Sequence, residues 1–171
     1  MKKQTIAYHE AGHAVVAHRL RYQVDGASIV STERGQGRVN LPNPIYRMDP
    51  DNVRHRFRFE HKAIMTLAGP LTQKRYSPRS HWRKGGSGYG KFTTKGTDFQ
   101  VVSDLIHRVH GDGKVAETFW SYLEAQTERL VDQNWSAIER VAQALLKQGT
   151  LSRGELRMAI QGSYRPPITK L

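Results

Sequence analysis

A chain of 171 residues, 37% of them hydrophobic, is long enough to bury one real core and too short for more than one domain with a small appendage. Cysteine is absent, which excludes disulfides and thiolate metal sites and leaves His, Asp and Glu as the strong ligands. Lys and Arg number 27 against 15 Asp and Glu, and the resulting net charge of +12 favours an acidic partner: nucleic acid, an anionic surface or an acidic peptide. No apolar run approaches the ~20 residues that span a bilayer. The opening "MKKQTIAYHE" meets acid and histidine too early for a signal-peptide core, so a cytoplasmic protein is expected.

Residues 4–21 read as a helix that is apolar on nearly every side, hence buried. "VDGASIVST" (24–32) and "GRVNL" (37–41) alternate and carry β-branched residues, and "ERGQG" between them supplies a turn, which predicts a hairpin. "LPNPIYRMDPDN" breaks regular structure with three prolines. A second helix is expected from about Asp51 to Tyr76, with Ile64, Leu67, Ala68 and Leu71 as its apolar stripe. Residues 77–96, "SPRSHWRKGGSGYGKFTTKG", read as a long mobile loop, either a lid or disordered. A third helix follows from about Thr97 to His110 and "GDG" ends it. Two amphipathic helices span 115–132 and 134–148, the latter with Trp135, Ile138, Val141, Ala142 and Leu145 on one face. Ser152 and Glu155 have capping-box spacing and open a last short helix, and 163–171 is expected to fray. The predicted fold class is mainly α, with one small β element near the first helix.

The stretch that carries chemistry is "AYHEAGHAVVA", residues 7–17. His9 and His13 stand a helical turn apart on one face, so both rings can reach one ion at ~2.0–2.1 Å. Glu10 is one step round the helix, placed to take a proton from a metal-activated water without being a ligand. This His-Glu-x-x-His order is the zinc-hydrolase pattern. Three polar side chains buried without partners in an otherwise apolar helix would cost several kcal/mol, at roughly 1–3 kcal/mol each; a metal removes that cost. The competing reading is a pair of hydrogen-bonded core histidines. Gly12, weak in a helix interior, allows another backbone to approach closely.

A zinc site normally has three protein ligands and a water. The candidates are His18, His55, His61, His81, His107, His110 and several acids. At ~100° per residue, Val102, Leu105 and Val109 fall within about 40° of Asp98, and His107 falls on the opposite face. A carboxylate on such a stripe needs a partner: a metal, or the amino end of its own helix.

"IAYHEAGHAVVAHRL" closely resembles the first protease helix of the FtsH family of membrane-bound, ATP-dependent zinc proteases (peptidase family M41). "ASIVSTERGQGRV", "IMTLAGPLTQKRY", "GTDFQVVSDL" and "RVAQALLKQGTLSRGEL" resemble later family segments in the same order. The resemblance implies a single helical, zincin-like metalloprotease domain over residues 1–171. It implies zinc as cofactor on His9, His13 and Asp98, with Glu10 as the general base. Thr94 stands where the family carries a glycine ahead of the third ligand, and "PIYRMDPDNV" lacks clear family features. The pattern G-x-x-x-x-G-K-[ST] does not occur, and there is no membrane segment. The expectation is therefore a zinc metalloendopeptidase without an ATPase of its own, acting on flexible or unfolded polypeptides, alone, as a homo-oligomer or beside an ATPase partner. The strand at 37–41 offers an edge to an extended peptide. The alternative is a basic nucleic-acid-binding or regulatory protein that retains the zinc-stabilised fold, drawn from the net charge and the Arg/aromatic mixtures "RHRFRF" and "HWRK".

Overall fold

Small apolar residues at the amino end of the chain let one helix be surrounded. The computed structural model describes residues 3–30, 37–40, 49, 52–78 and 98–165. Helix α1 (Lys3–Arg19) buries Ala7, Ala11, Ala14, Val15, Val16 and Ala17 completely, so neighbours close on it from several sides. Helix α2 (Val53–Tyr76) packs along one side and α5 (Trp135–Gln148) along another. Helices α3 (Asp98–His110) and α4 (Lys114–Gln133) pack on α2, and α6 (Arg153–Gln161) packs on α5. The protein is mainly helical with one small three-stranded antiparallel sheet.

The helices lie where the hydrophobic periodicity places them, within a few residues. The hairpin of β1 (Gly26–Ser28) and β2 (Arg38–Asn40) is present, with Ala27 opposite Val39. Sequence patterning did not reveal β3 (Thr150–Ser152), which pairs antiparallel with the other side of β1, Ala27 opposite Leu151. At three residues, β3 is too short to show alternation, and its only buried member is Leu151. Gly149 makes the strand possible: at φ 79° it ends α5 in a conformation that other residues rarely adopt, and its carbonyl accepts from Ile29 N at 2.8 Å. Ser152 then caps α6 in the expected capping box, with Glu155 Oε2 accepting from Ser152 N at 2.8 Å. All of the expected turn 33–37 but Gly37, most of 41–52 and most of the 77–96 loop lie outside the described residues, as do 166–171. Tyr164 is half-buried, packs against the core and hydrogen-bonds Gln148.

Helices α1 and α2 run antiparallel, and their register follows from the paired side chains. Tyr8 stacks on Tyr76 with ring centroids 3.7 Å apart, His9 meets Gln73, His13 meets Met65, and Tyr22 lies edge-on to His61. The crossing is close because Gly12 presents no side chain. A Cβ there would lie 2.7 Å from the Ala68 carbonyl oxygen and 2.8 Å from Thr72 Cβ. The buried Thr72 hydroxyl has no hydrogen-bond partner among the described residues and rests on Gly12, where a Cα–H···O contact is the interaction open to it. Pro70 lies inside α2 and, lacking an N–H, leaves the Thr66 carbonyl without its helical donor.

Gly12→Ala is therefore expected to destabilise the protein, although alanine is the better helix former by ~1 kcal/mol. The overlap is with backbone, which cannot rotate away, and overpacking costs about 1–3 kcal/mol. Urea denaturation measures the balance: a midpoint at or above that of the wild type would show that the helices are not held at this spacing.

Candidate metal centre

The turn of α1 that carries His9 and His13 faces α2, and α2 supplies what orients both rings. His13 Nδ1 donates to the Met65 carbonyl at 2.7 Å. A carbonyl only accepts, so a proton sits on Nδ1, and in the neutral ring Nε2 carries the lone pair. His9 Nδ1 donates to Gln73 Oε1 at 3.2 Å, with the same consequence for its Nε2. The two Nε2 atoms are 3.1 Å apart. Asp98, the first residue of α3, brings Oδ2 to 3.1 Å from His9 Nε2 and 3.4 Å from His13 Nε2.

Three lone-pair atoms facing one another at this range repel unless positive charge lies among them. An ion held tetrahedrally at ~2.0–2.1 Å spaces its ligand atoms roughly 3.3–3.4 Å apart, close to the separations found here. Two imidazole nitrogens and a carboxylate oxygen suit a borderline divalent cation and leave a fourth position open. Among the described residues, His9, His13 and Asp98 are the group that can hold a metal.

Where no ion is bound, protons on the imidazoles supply the positive charge. Burial works against the charge of Asp98, yet hydrogen bonds from protonated His13 and His9 and their positive charge hold its carboxyl well below the usual carboxylate range. Burial likewise works against a charge on His13, but Asp98, Glu10 and the Met65 carbonyl together raise its pKa. Glu10 is 7% exposed, and burial pushes its carboxyl up despite the neighbouring histidines. A divalent ion would add the largest charge in the neighbourhood and favour both carboxylates ionised and both Nε2 atoms bare.

Two glycines shape the space. A Cβ on Gly69 would overlap the His13 ring, lying 2.6 Å from Cε1, so the ring lies flat against bare α2 backbone. A Cβ on Gly37 would sit 2.8 Å from Glu10 Cδ, so the residue leading into β2 lies against the Glu10 carboxylate. Sequence reasoning missed Gln73, Gly69 and Met65. The available signal was their spacing: they recur every four residues along α2, in step with His9 and His13 on α1.

The remaining candidates lie elsewhere. His18 is surrounded by Arg19, Arg157 and Arg21, His55 Nδ1 accepts from Asp49 N, and His61 lies against Phe57. His107 is exposed and pairs with Asp112 at 3.0 Å, and His110 meets Phe119 edge-on. His81 lies outside the described residues. In one respect the helical phase differs from expectation. The fully buried positions of α3 are Val102 and Ile106, with Leu105 and Val109 half-buried, so the stripe is centred about 60° round the helix from Asp98. Asp98 stands at its border, 31% exposed, where it can face both the histidines and the solvent.

Over 81 residues the chain is 33% identical to the mitochondrial inner membrane m-AAA protease component YTA10 of Saccharomyces cerevisiae. That alignment covers 45% of this chain and 10% of the relative, so the chain spans a small part of the protein it matches. No family model matches.

The orienting role of α2 predicts that Gln73→Leu lowers affinity for a divalent probe ion by ~10–100-fold while the fold persists. Isothermal titration with zinc and circular dichroism measure the two; full affinity in Gln73→Leu would exclude Gln73 from the site. In the same titration Asp98→Ala should weaken binding and His107→Ala should not.

Proposed function

We propose that the protein is a zinc-dependent metallopeptidase. The observation that carries this reading is the convergence of His9 Nε2, His13 Nε2 and Asp98 Oδ2 beside a buried, non-ligating Glu10. The partial similarity to a protease component adds support from the sequence. His9, His13 and Asp98 would hold the ion. When bound, zinc supplies Lewis-acid polarisation of the scissile carbonyl and acidifies a water.

The chain's own residues do the rest. Met65 and Gln73 hold the imidazoles in the tautomer that leaves Nε2 free. Glu10 takes the proton of the attacking water and delivers it to the leaving amine. Burial suits this role: a carboxyl that is harder to ionise is a stronger base once ionised. The sheet has the order β2-β1-β3, so among the described residues β2 lies at an edge, and Gly37 places that edge beside Glu10. An extended polypeptide pairing with β2 would present its backbone to the site. Such a substrate must be flexible, since the sequence carries no G-x-x-x-x-G-K-[ST] pattern of the kind that powers unfolding. Among the described residues no helix is long and apolar enough to cross a membrane.

Glu10→Gln should retain zinc and fold yet lose cleavage of an unstructured protein such as casein by ~10²–10⁴-fold or more. Metal analysis and a fluorogenic casein assay test this together; unchanged cleavage would move the base elsewhere. Chelation should abolish wild-type cleavage and added zinc restore it, with no effect of ATP. A stably folded substrate should resist; its digestion by the purified chain would reveal an unfolding activity that this reading denies.

A further inference from the structure

The antiparallel pairing of α1 and α2 brings the carboxyl end of one and the amino end of the other to the same pole of the molecule. Both are basic. Arg19 and Arg21 close α1, and Arg54, Arg56 and Arg58 open α2. The first turn of α2 contains no acid, so these cations sit at the positive end of a helix dipole, where they are locally unfavourable. Among the described residues Arg21, Arg54 and Arg58 form no ion pair. The nearby Glu60 is turned to α4, where it accepts from Tyr122 at 2.7 Å. His18 records the resulting field: after burial, the charges of Arg19, Arg157 and Arg21 hold its pKa down.

Aromatic rings lie between the cations. Phe57 is 59% exposed and its ring centroid lies 4.0 Å from that of His61, which in turn meets Tyr22 edge-on at 5.8 Å. Phe57 and His61 are one helical turn apart, and Arg54 and Arg58 run alongside them with the same spacing. The result is a ring strip flanked by guanidinium groups that form no ion pair among the described residues.

We propose that this pole binds single-stranded nucleic acid, with phosphates against Arg21, Arg54 and Arg58 and a base stacked on Phe57. Charge selects a polyanion, and the exposed ring selects among polyanions. A duplex keeps its bases stacked on one another, whereas unpaired bases offer faces to an aromatic side chain. A bilayer surface would need a continuous apolar face on the helix. Here Val53 and Phe57 are exposed, while the next apolar residues, Phe59, Ala63 and Ile64, are buried in the core. An acidic polypeptide would use the cations and leave Phe57 without a role. This site is separate from the metal ligands, and the inference does not depend on peptidase activity.

The test is fluorescence anisotropy of a labelled oligo-dT of about 15 nucleotides, a length within the span of common single-strand sites. It uses the full chain over a range of salt concentrations. Wild type should bind with a negative slope of log K on log salt, each phosphate contact contributing ~0.7. Arg54→Gln and Arg58→Gln should each reduce the slope by about that amount. Phe57→Ala should weaken binding roughly 5- to 150-fold at fixed salt, and Phe57→Tyr should restore it. All three side chains are exposed, so circular dichroism and zinc content should match wild type. An unchanged affinity in Phe57→Ala would overturn the proposal by reducing the surface to diffuse charge. So would equal competition by polyglutamate at matched charge, tighter binding to duplex DNA, or tighter binding to equimolar phosphatidylserine–phosphatidylcholine vesicles.

Discussion

The distance between α1 and α2 is the quantity on which the rest of the structure depends. It is set by absent atoms: Gly12 on one helix and Gly69 on the other bring backbone to backbone and ring to backbone. At that distance a helix carbonyl and an amide from α2 fall within hydrogen-bonding range of both imidazoles. Packing in an interior is close to that of a crystal, so a methyl group inserted here could not be absorbed locally. Widening the gap would detach Met65 and Gln73 from the rings and release the tautomers that point both Nε2 atoms at Asp98. The convergence of both Nε2 atoms on Asp98 is thus a by-product of helix packing.

The same antiparallel pair separates two chemistries in one strongly basic chain. Near its middle Glu10 of α1 and Asp98 of α3 lie beside the two imidazoles. At the pole where α1 ends and α2 begins are Arg21, Arg54 and Arg58, which form no ion pair among the described residues. From Phe57 to Met65 the helix rises roughly 12 Å. The two surfaces are therefore close enough to belong to one working face, yet no residue is shared between them.

Much of this was legible in the amino-acid order, for identifiable reasons. His9, Glu10 and His13 are close in sequence, so helical spacing alone brings the two rings to one face. Long helices with periodic apolar faces, such as 134–148, announce themselves because many residues repeat the same signal. Asp98 was reachable because its helix has a stripe, although the stripe turned out to be centred on Val102 and Ile106. What could not be read was whatever depends on a second element arriving from elsewhere. Gln73 looks like any polar residue near a helix end until His9 is beside it. Gly69 reads as a weak point in a helix, and its purpose appears only with the His13 ring against it. Strand β3 is three residues whose identity as a strand resides in β1.

Strand β1 pairs on its second side with residues 150–152, so its completion waits on a segment more than a hundred positions further along the chain. Helix α1 likewise needs α5 to cover one side. During synthesis the helix bearing both histidines therefore emerges from the ribosome long before its cover exists. Until then its alanines and valines are open to water, to other nascent chains and to chaperones. Contacts so distant in sequence are slow to form because the loop must close before any of them is rewarded. His9 and His13 precede α5 by more than a hundred residues, so a ribosome stalled between them carries both imidazoles before the helix that covers one side of α1 exists.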